Sequence, residues 1–280
     1  MTAPDHIRPR RYGTVETGRG GGYLRVVRLL LAVQPRPERR CWSEARERPA
    51  PVSPNRTDVI VAKLDLSCRA VLFDLDGVLV YSEPVVVRTW RRWAARHGLD
   101  LPDLVSRAHG RRSIETVREV APWLDAEAEV EWLSHVELAD GDGLAALPGA
   151  ARLFEAIPSR QRAIVTSGGR ALAAFRLRAV GLTSPEVLIA AEDVEHGKPA
   201  PDGYLAAARR LDAEPGECVV IEDAPAGIAA GRAAGATVIA VATTFLPAEL
   251  RQAHVVIDSL ASLATEVESG QLRLHGDTRA

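Results

Sequence analysis

Hydrophobic and polar positions along this chain fall into two regimes. From residue 64 onward, short apolar runs alternate with longer amphipathic stretches. Residues 71–75, 162–165, 187–190, 218–221, 237–242 and 255–257 are apolar runs of strand length. Residues 170–180, 201–211 and 225–234 carry helical spacing, with Gly181 and Gly235 standing where the first and third would stop. Strands apolar on both faces, alternating with helices, predict a parallel sheet covered on both sides. Between Asp76 and Ala163 the pattern differs. It predicts helices over 84–97, with Pro84 in the first turn and Gly98 at the stop, and over 113–120, 126–139 and 149–157. It predicts no strand there. The expected fold class is α/β, a Rossmann-like parallel sheet core with a small all-helical block inserted after the first strand. The core is expected over 64–82 and 148–268, the block over 83–147, and a flexible tail over 269–280.

Residues 1–63 follow another rule. The first 60 residues hold 12 arginines against 6 acids, are broken by Gly20–Gly22 and by prolines at 35, 37, 49, 51 and 54, and bury too little apolar area to offset the entropy of ordering. The expectation is a basic, mostly disordered N-terminal extension, with a short ordered piece around 23–33. It acts either as a plain extension or as a contact for an anionic partner.

Composition narrows the function classes. A chain of 280 residues with 46% hydrophobic and 26% charged residues has an ordinary soluble globular balance and is long enough for one large domain or a core domain with a smaller insert. A net charge of -2 offers no general attraction to nucleic acid or anionic lipid. No apolar run approaches the roughly 18 residues of a membrane span. Cys41, Cys68 and Cys218 are odd in number and widely spaced, which fits reduced thiols and a cytoplasmic location rather than a disulfide framework. Nothing in the sequence encodes an oligomeric state, and a monomer is the default expectation.

The chemistry lies at the strand ends. The first strand runs into Asp74 and Asp76, and the one at 218–221 into Glu222 and Asp223. Open parallel sheets bind ligands beyond the carboxyl ends of their strands. Several acids in one crevice raise one another's pKa unless a cation neutralises them, and Mg²⁺ suits oxygen ligands and phosphate. The bland alternative is a set of solvated helix caps, which fits a lone Asp far better than four acids behind two apolar runs. Asp74 is the candidate nucleophile, because a carboxylate attacks phosphorus without prior deprotonation. Asp76 is the candidate general acid and base, and Gly77 lets the chain turn beside a phosphate. Thr166, Ser167, Gly168 and Gly169 form either a phosphate cradle or a helix cap. Lys198, one of only two lysines, sits between Gly197 and Pro199 and is a candidate phosphate contact; a surface lysine is its alternative.

The stretches FDLDGVLVYSEP at 73–84, IVTSGG at 164–169, HGKPAPDGYLAAA at 196–208 and VIEDAPAGIAAGRAAG at 220–235 resemble, in order and spacing, the haloacid dehalogenase-like hydrolases. The similarity is greatest to the β-phosphoglucomutase-like and sugar-phosphate phosphatase branch. The resemblance implies that Asp74 is the nucleophile, Asp76 the acid/base, Thr166 the phosphate-binding hydroxyl and Lys198 the family lysine. It implies metal ligation by Asp74, Asp223 and Glu222, with Asp76 contributing its backbone carbonyl, and it makes the helical block a mobile cap. Glu83 falls where this branch often faces substrate, or is an ordinary acid at a helix start. Arg111 is the favoured substrate contact in the cap, with a solvated helix start as its alternative. Tyr81 departs from the acid that many relatives carry. The four tryptophans of the block read as packing rather than stacking platforms.

The expected activity is Mg²⁺-dependent hydrolysis of a small phosphorylated metabolite, a sugar or polyol phosphate, through an aspartyl phosphate. The alternatives are a phosphosugar mutase with the same core residues and a non-enzymatic phosphate sensor. The acid at position 76 speaks against dehalogenation. The absence of any lysine from Gly77 to Arg162 removes the amine that phosphonoacetaldehyde hydrolysis would need.

Overall fold

The computed structural model describes residues 61–100, 104–268 and 270–279. The expectations for residues 1–60 and Cys41 lie outside them. The central sheet has six parallel strands in the order β6-β5-β2-β7-β8-β9. They are β2 (Ala70–Phe73), β5 (Arg162–Val165), β6 (Val187–Ile189), β7 (Cys218–Glu222), β8 (Thr237–Val241) and β9 (Val255–Ile257). Every residue of β2, β6 and β7 is buried, which explains runs without a polar alternation. One apolar cluster covers each face. Val71, Phe73, Ile221 and Ile239 point to one side, and Leu72, Val165, Val220 and Val238 to the other.

The helices α5 (Ala150–Ala156), α6 (Arg170–Ala179), α7 (Asp202–Arg210) and α8 (Pro225–Ala233) cover these faces. β2 is central: the chain leaves it for β5 and β6 on one side and for β7 to β9 on the other. That reversal opens a crevice beyond the ends of β2, β5 and β7, the place where such sheets take ligands.

The inserted block comprises α1 (Glu83–Arg96), α2 (Leu104–Ala108), α3 (Ser113–Val120) and α4 (Ala126–Leu138). It has its own core of Trp90, Trp93, Leu104, Val117 and Leu133. Trp93 is fully buried, and its indole N–H donates to Glu129 at 2.8 Å. A polar tip with a partner and an apolar body buried is the packing role expected of this tryptophan; Trp123, by contrast, is exposed.

Three findings correct the sequence reading. The block is not joined by coil alone: β3 (Val80–Tyr81) and β4 (Ala145–Ala146) pair antiparallel at its neck. Two residues each are too few for a periodic signal. Residues 271–279 are not a flexible tail. They form β11 (Gln271–Arg279), the middle of a three-stranded antiparallel sheet with β1 (Val61–Cys68) and β10 (Leu263–Glu268). Leu64, Leu66, Leu263, Leu272 and Leu274 from this sheet join the main core. Burial of that alternating apolar face offsets the cost of ordering both ends. The core therefore includes β1 from Val61, slightly before residue 64.

Candidate active site

β2 delivers Asp74 to the crevice, where its backbone N–H donates to Ile221 at 2.9 Å and its side chain is buried. The chain then turns through a tight loop in which Gly77 has φ +78°, and Gly77 N–H donates to Val80 at 2.8 Å. A Cβ on Gly77 would fall on the Asp223 carboxylate. Glycine here permits both the left-handed turn and the close approach.

Lys198 donates to Asp74 Oδ1 at 2.6 Å, to Glu222 Oε1 at 2.7 Å and to the Val165 carbonyl at 3.1 Å. All three donor positions of the ammonium are thus engaged. Burial works against its charge, but Asp74 and Glu222 outweigh it and hold the ammonium well above its ordinary pKa. Lys198 lies behind Asp74 rather than on the cavity wall. Its contact in this structure is with the carboxylate, which it orients.

Glu222 is fully buried and saturated. Oε1 accepts from Lys198 and from Tyr204 at 2.9 Å, and Oε2 accepts from the amides of Asp223 and Ala224 at 2.8 and 3.0 Å. A Cβ on Gly227 would collide with the same carboxylate, so α8 can pack here only with glycine. That is the physical reason for the glycine in the string EDAPAGI. Tyr204 stands in the string HGKPAPDGYLAAA, but its bond to Glu222 was not legible, since its partner is 18 residues away in sequence.

Burial, with Glu222 and Asp76 adding to it, pushes Asp74 up to about 7 even though Lys198 opposes the shift. Burial, then Glu222 and Asp74, drives Asp223 well above the carboxylate range, with a bond from Thr244 too weak to compensate. Asp74, Glu222 and Asp223 present oxygens within 4.8 Å of one another. Three buried acids face one lysine, and the excess of negative charge is what a divalent cation would balance. The donor set is all oxygen, which fits Mg²⁺. Because Glu222 already accepts four hydrogen bonds, Asp74 and Asp223 are the carboxylates with capacity to hold an ion.

Asp76 is set apart from that triad. Arg176 on α6 donates to Asp76 Oδ2 at 2.6 Å and to Glu137 on α4 at 3.1 Å, while Asp76 Oδ1 is buried without a partner. Neither Arg176 nor Glu137 stands in a recognisable string. They lie 100 and 61 residues beyond Asp76 in sequence and meet it only in the fold.

The remaining expected residues surround a cavity of about 340 Å³ between the sheet and the block, lined by Asp74, Asp76, Glu83, Arg111, Thr166, Ser167, Gly168 and Asp223 among others. Thr166 Oγ accepts from Gly168 N–H at 3.1 Å. Ser167 Oγ donates to the Gly110 carbonyl at 2.9 Å, so this hydroxyl ties the sheet to the block. The amide of Arg170, at the start of α6, donates to Glu192 at 3.1 Å. The helix start is therefore capped by a protein carboxylate, while Thr166, Ser167, Gly168 and Gly169 line the cavity. Arg111 reaches the cavity but pairs with Glu119 at 2.6 Å. Its neighbour Arg112, which the sequence did not favour, donates to the Val194 and Glu195 carbonyls at 3.2 and 3.0 Å. Glu115 accepts from Gly197 N–H at 3.2 Å, so the block rests on the loop that carries Lys198.

Residues 68–235 match the model of the haloacid dehalogenase-like hydrolases. The chain is 42% identical over 203 residues to hexitol phosphatase A of Escherichia coli, covering 71% of this chain and 94% of that one. It is 35% identical over 194 residues to glycerol-1-phosphate phosphohydrolase 2 of Saccharomyces cerevisiae, covering 65% and 78%. A solved Thermotoga maritima structure described as a β-phosphoglucomutase superposes with a TM-score of 0.51 at 28% identity, over 69% of this chain and 95% of that one. The chain belongs to the haloacid dehalogenase-like hydrolases, in their β-phosphoglucomutase-like branch, and is a phosphoric monoester hydrolase.

Proposed function

We propose that this protein hydrolyses a small polyol or sugar phosphate, with Mg²⁺ as cofactor and an aspartyl phosphate on Asp74 as intermediate. The observation that carries the reading is the buried cluster at the sheet rim. Lys198 holds one oxygen of Asp74, and the Asp223 carboxylate stands beside Asp74 with capacity to share an ion. Hexitol and glycerol phosphates are named for the two relatives, and a cavity of about 340 Å³ lies at the small end of ligand sites.

Asp74 attacks phosphorus, forming the Asp–O–P bond as the bond to the substrate oxygen breaks. Asp76 Oδ1 gives its proton to the departing alkoxide, and the alcohol leaves. Asp76 then takes a proton from water, whose oxygen attacks phosphorus, releasing inorganic phosphate and restoring Asp74. Mg²⁺ held by Asp74 and Asp223 would offset the repulsion between carboxylate and phosphate. Thr166 and the 167–168 amides would receive phosphate oxygens, and Glu83 and Arg111 would face the rest of the substrate. The helical block, read as a cap over 83–147, excludes water while the first bond breaks.

The test is phosphate release from hexitol and glycerol phosphates with Mg²⁺ and with EDTA. Turnover with Mg²⁺ only, falling by about 10⁴-fold or more in Asp74→Asn with the fold retained, is expected. Release unaffected by that substitution would overturn the mechanism. Conversion of a sugar 1-phosphate to its 6-phosphate without phosphate release would replace it with mutase chemistry.

A further inference from the structure

We propose, resting on the phosphatase reading, that Arg176 is a positioning residue for Asp76, completed by Glu137 of the helical block. Arginine is almost never fully buried unless paired, yet Arg176 is only 4% exposed. Its planar fork spans two carboxylates from different parts of the fold, Asp76 on the loop after β2 and Glu137 near the end of α4. Holding Asp76 by Oδ2 fixes the plane of the carboxyl group. The other oxygen, Oδ1, is then the one left without a partner, on a residue that lines the cavity. That is the arrangement a proton donor needs: one oxygen anchored, one presented to the leaving oxygen.

Glu137 supplies the second half. It is buried and belongs to the inserted block, so its bond to Arg176 forms only when the block is seated on the sheet. Burial raises the pKa of Glu137, and Arg176 opposes that rise. The guanidinium therefore joins the block's position to the orientation of Asp76. A purely structural ion pair would predict something else: loss of stability, and equal loss of activity on every substrate.

The experiment compares two substrates in the full chain. A polyol phosphate leaves as a poor alkoxide and needs the proton from Asp76, whereas p-nitrophenyl phosphate leaves as a stable phenolate and does not. Arg176→Gln is expected to lower kcat/KM on the polyol phosphate by about 10²-fold, the size of a general acid contribution, because kcat/KM reports the steps up to departure of the alcohol and not the later attack of water that Asp76 also assists. On p-nitrophenyl phosphate the same variant loses at most a few-fold in kcat/KM, while kcat falls on both substrates through the shared hydrolysis step. Arg176→Lys recovers part of the loss, Glu137→Gln shows a smaller loss in the same ratio, and Arg176→Gln adds nothing further on the polyol phosphate in an Asp76→Asn background. If Arg176→Gln fails to fold, Arg176→Lys and Glu137→Gln carry the same substrate ratio. Equal losses of kcat/KM on both substrates, or losses of kcat/KM that add to those of Asp76→Asn, overturn this proposal and leave the phosphatase reading standing. A wild-type enzyme inactive on both substrates overturns both.

Discussion

Asp74 and Asp223 carry carboxyl groups that burial pushes far from their solution behaviour, Asp74 to about 7. The unfolded chain releases these protons near pH 4. Between about pH 4 and pH 7 the folded state thus binds protons that the unfolded state has lost, so stability falls as pH rises across that window. The thermal midpoint in EDTA is expected to be lower at pH 8 than at pH 5, and excess Mg²⁺ is expected to raise it at pH 8 by balancing the charge. Asp74→Asn should flatten the dependence, as followed by calorimetry. A midpoint that rises with pH in the wild type but not in this variant would contradict the assignment. At this scale Asp74, Asp76 and Lys198 were readable as candidate site residues because each sits in a local string. Glu222 was readable as an acid near the site, but its saturation by Lys198, Tyr204 and two amides was not.

The elements that matter most are those that set the block against the sheet. Arg112 at the start of α3 holds two carbonyls of the 194–195 loop, and Glu115 one turn on receives Gly197 N–H. Charge-assisted bonds to backbone contribute more than neutral ones, about 1.5–3 kcal/mol each. Arg112→Ala should therefore loosen the seated position and raise KM for a polyol phosphate by about tenfold, with a smaller effect on kcat. Steady-state kinetics checks this, and an unchanged KM would show that the contact is incidental. Helix positions were legible from apolar spacing and from Pro84, Gly98, Gly181 and Gly235. The short β3–β4 pair was not, because two residues cannot show a period.

For the whole molecule, the sheet of β1, β10 and β11 ties the two ends of the ordered core together. Leu272 and Leu274 are fully buried, and an exposed ion pair between Asp65 and Arg273 spans β1 and β11. A chain ending at residue 270 would leave β1 and β10 without their shared partner and open the face covered by Leu64 and Leu66. Expression of that truncation should yield aggregated protein, and Leu274→Asp should lower stability by about 3 kcal/mol or more through an unpaired buried charge. Urea unfolding measures the second; a loss below 1 kcal/mol would show that the strand is dispensable. The alternation of apolar and polar residues at 271–275 after Gly270 was a hairpin signal in plain view. Among the described residues no helix is long and apolar enough to cross a bilayer.

The amino-acid sequence alone settled the six strands of the parallel sheet, the α/β class, the inserted helical block and the strings that carry Asp74, Asp76, Thr166, Lys198 and Asp223. These depend on periodicity and on neighbours close along the chain, which a linear reading can see. Tertiary structure decided which oxygens are free, where Lys198 points, that Arg176 and Glu137 meet at Asp76, and that the C-terminal residues are a strand. Each of these is a buried contact between distant segments, created when side chains compete for the same few partners out of reach of water.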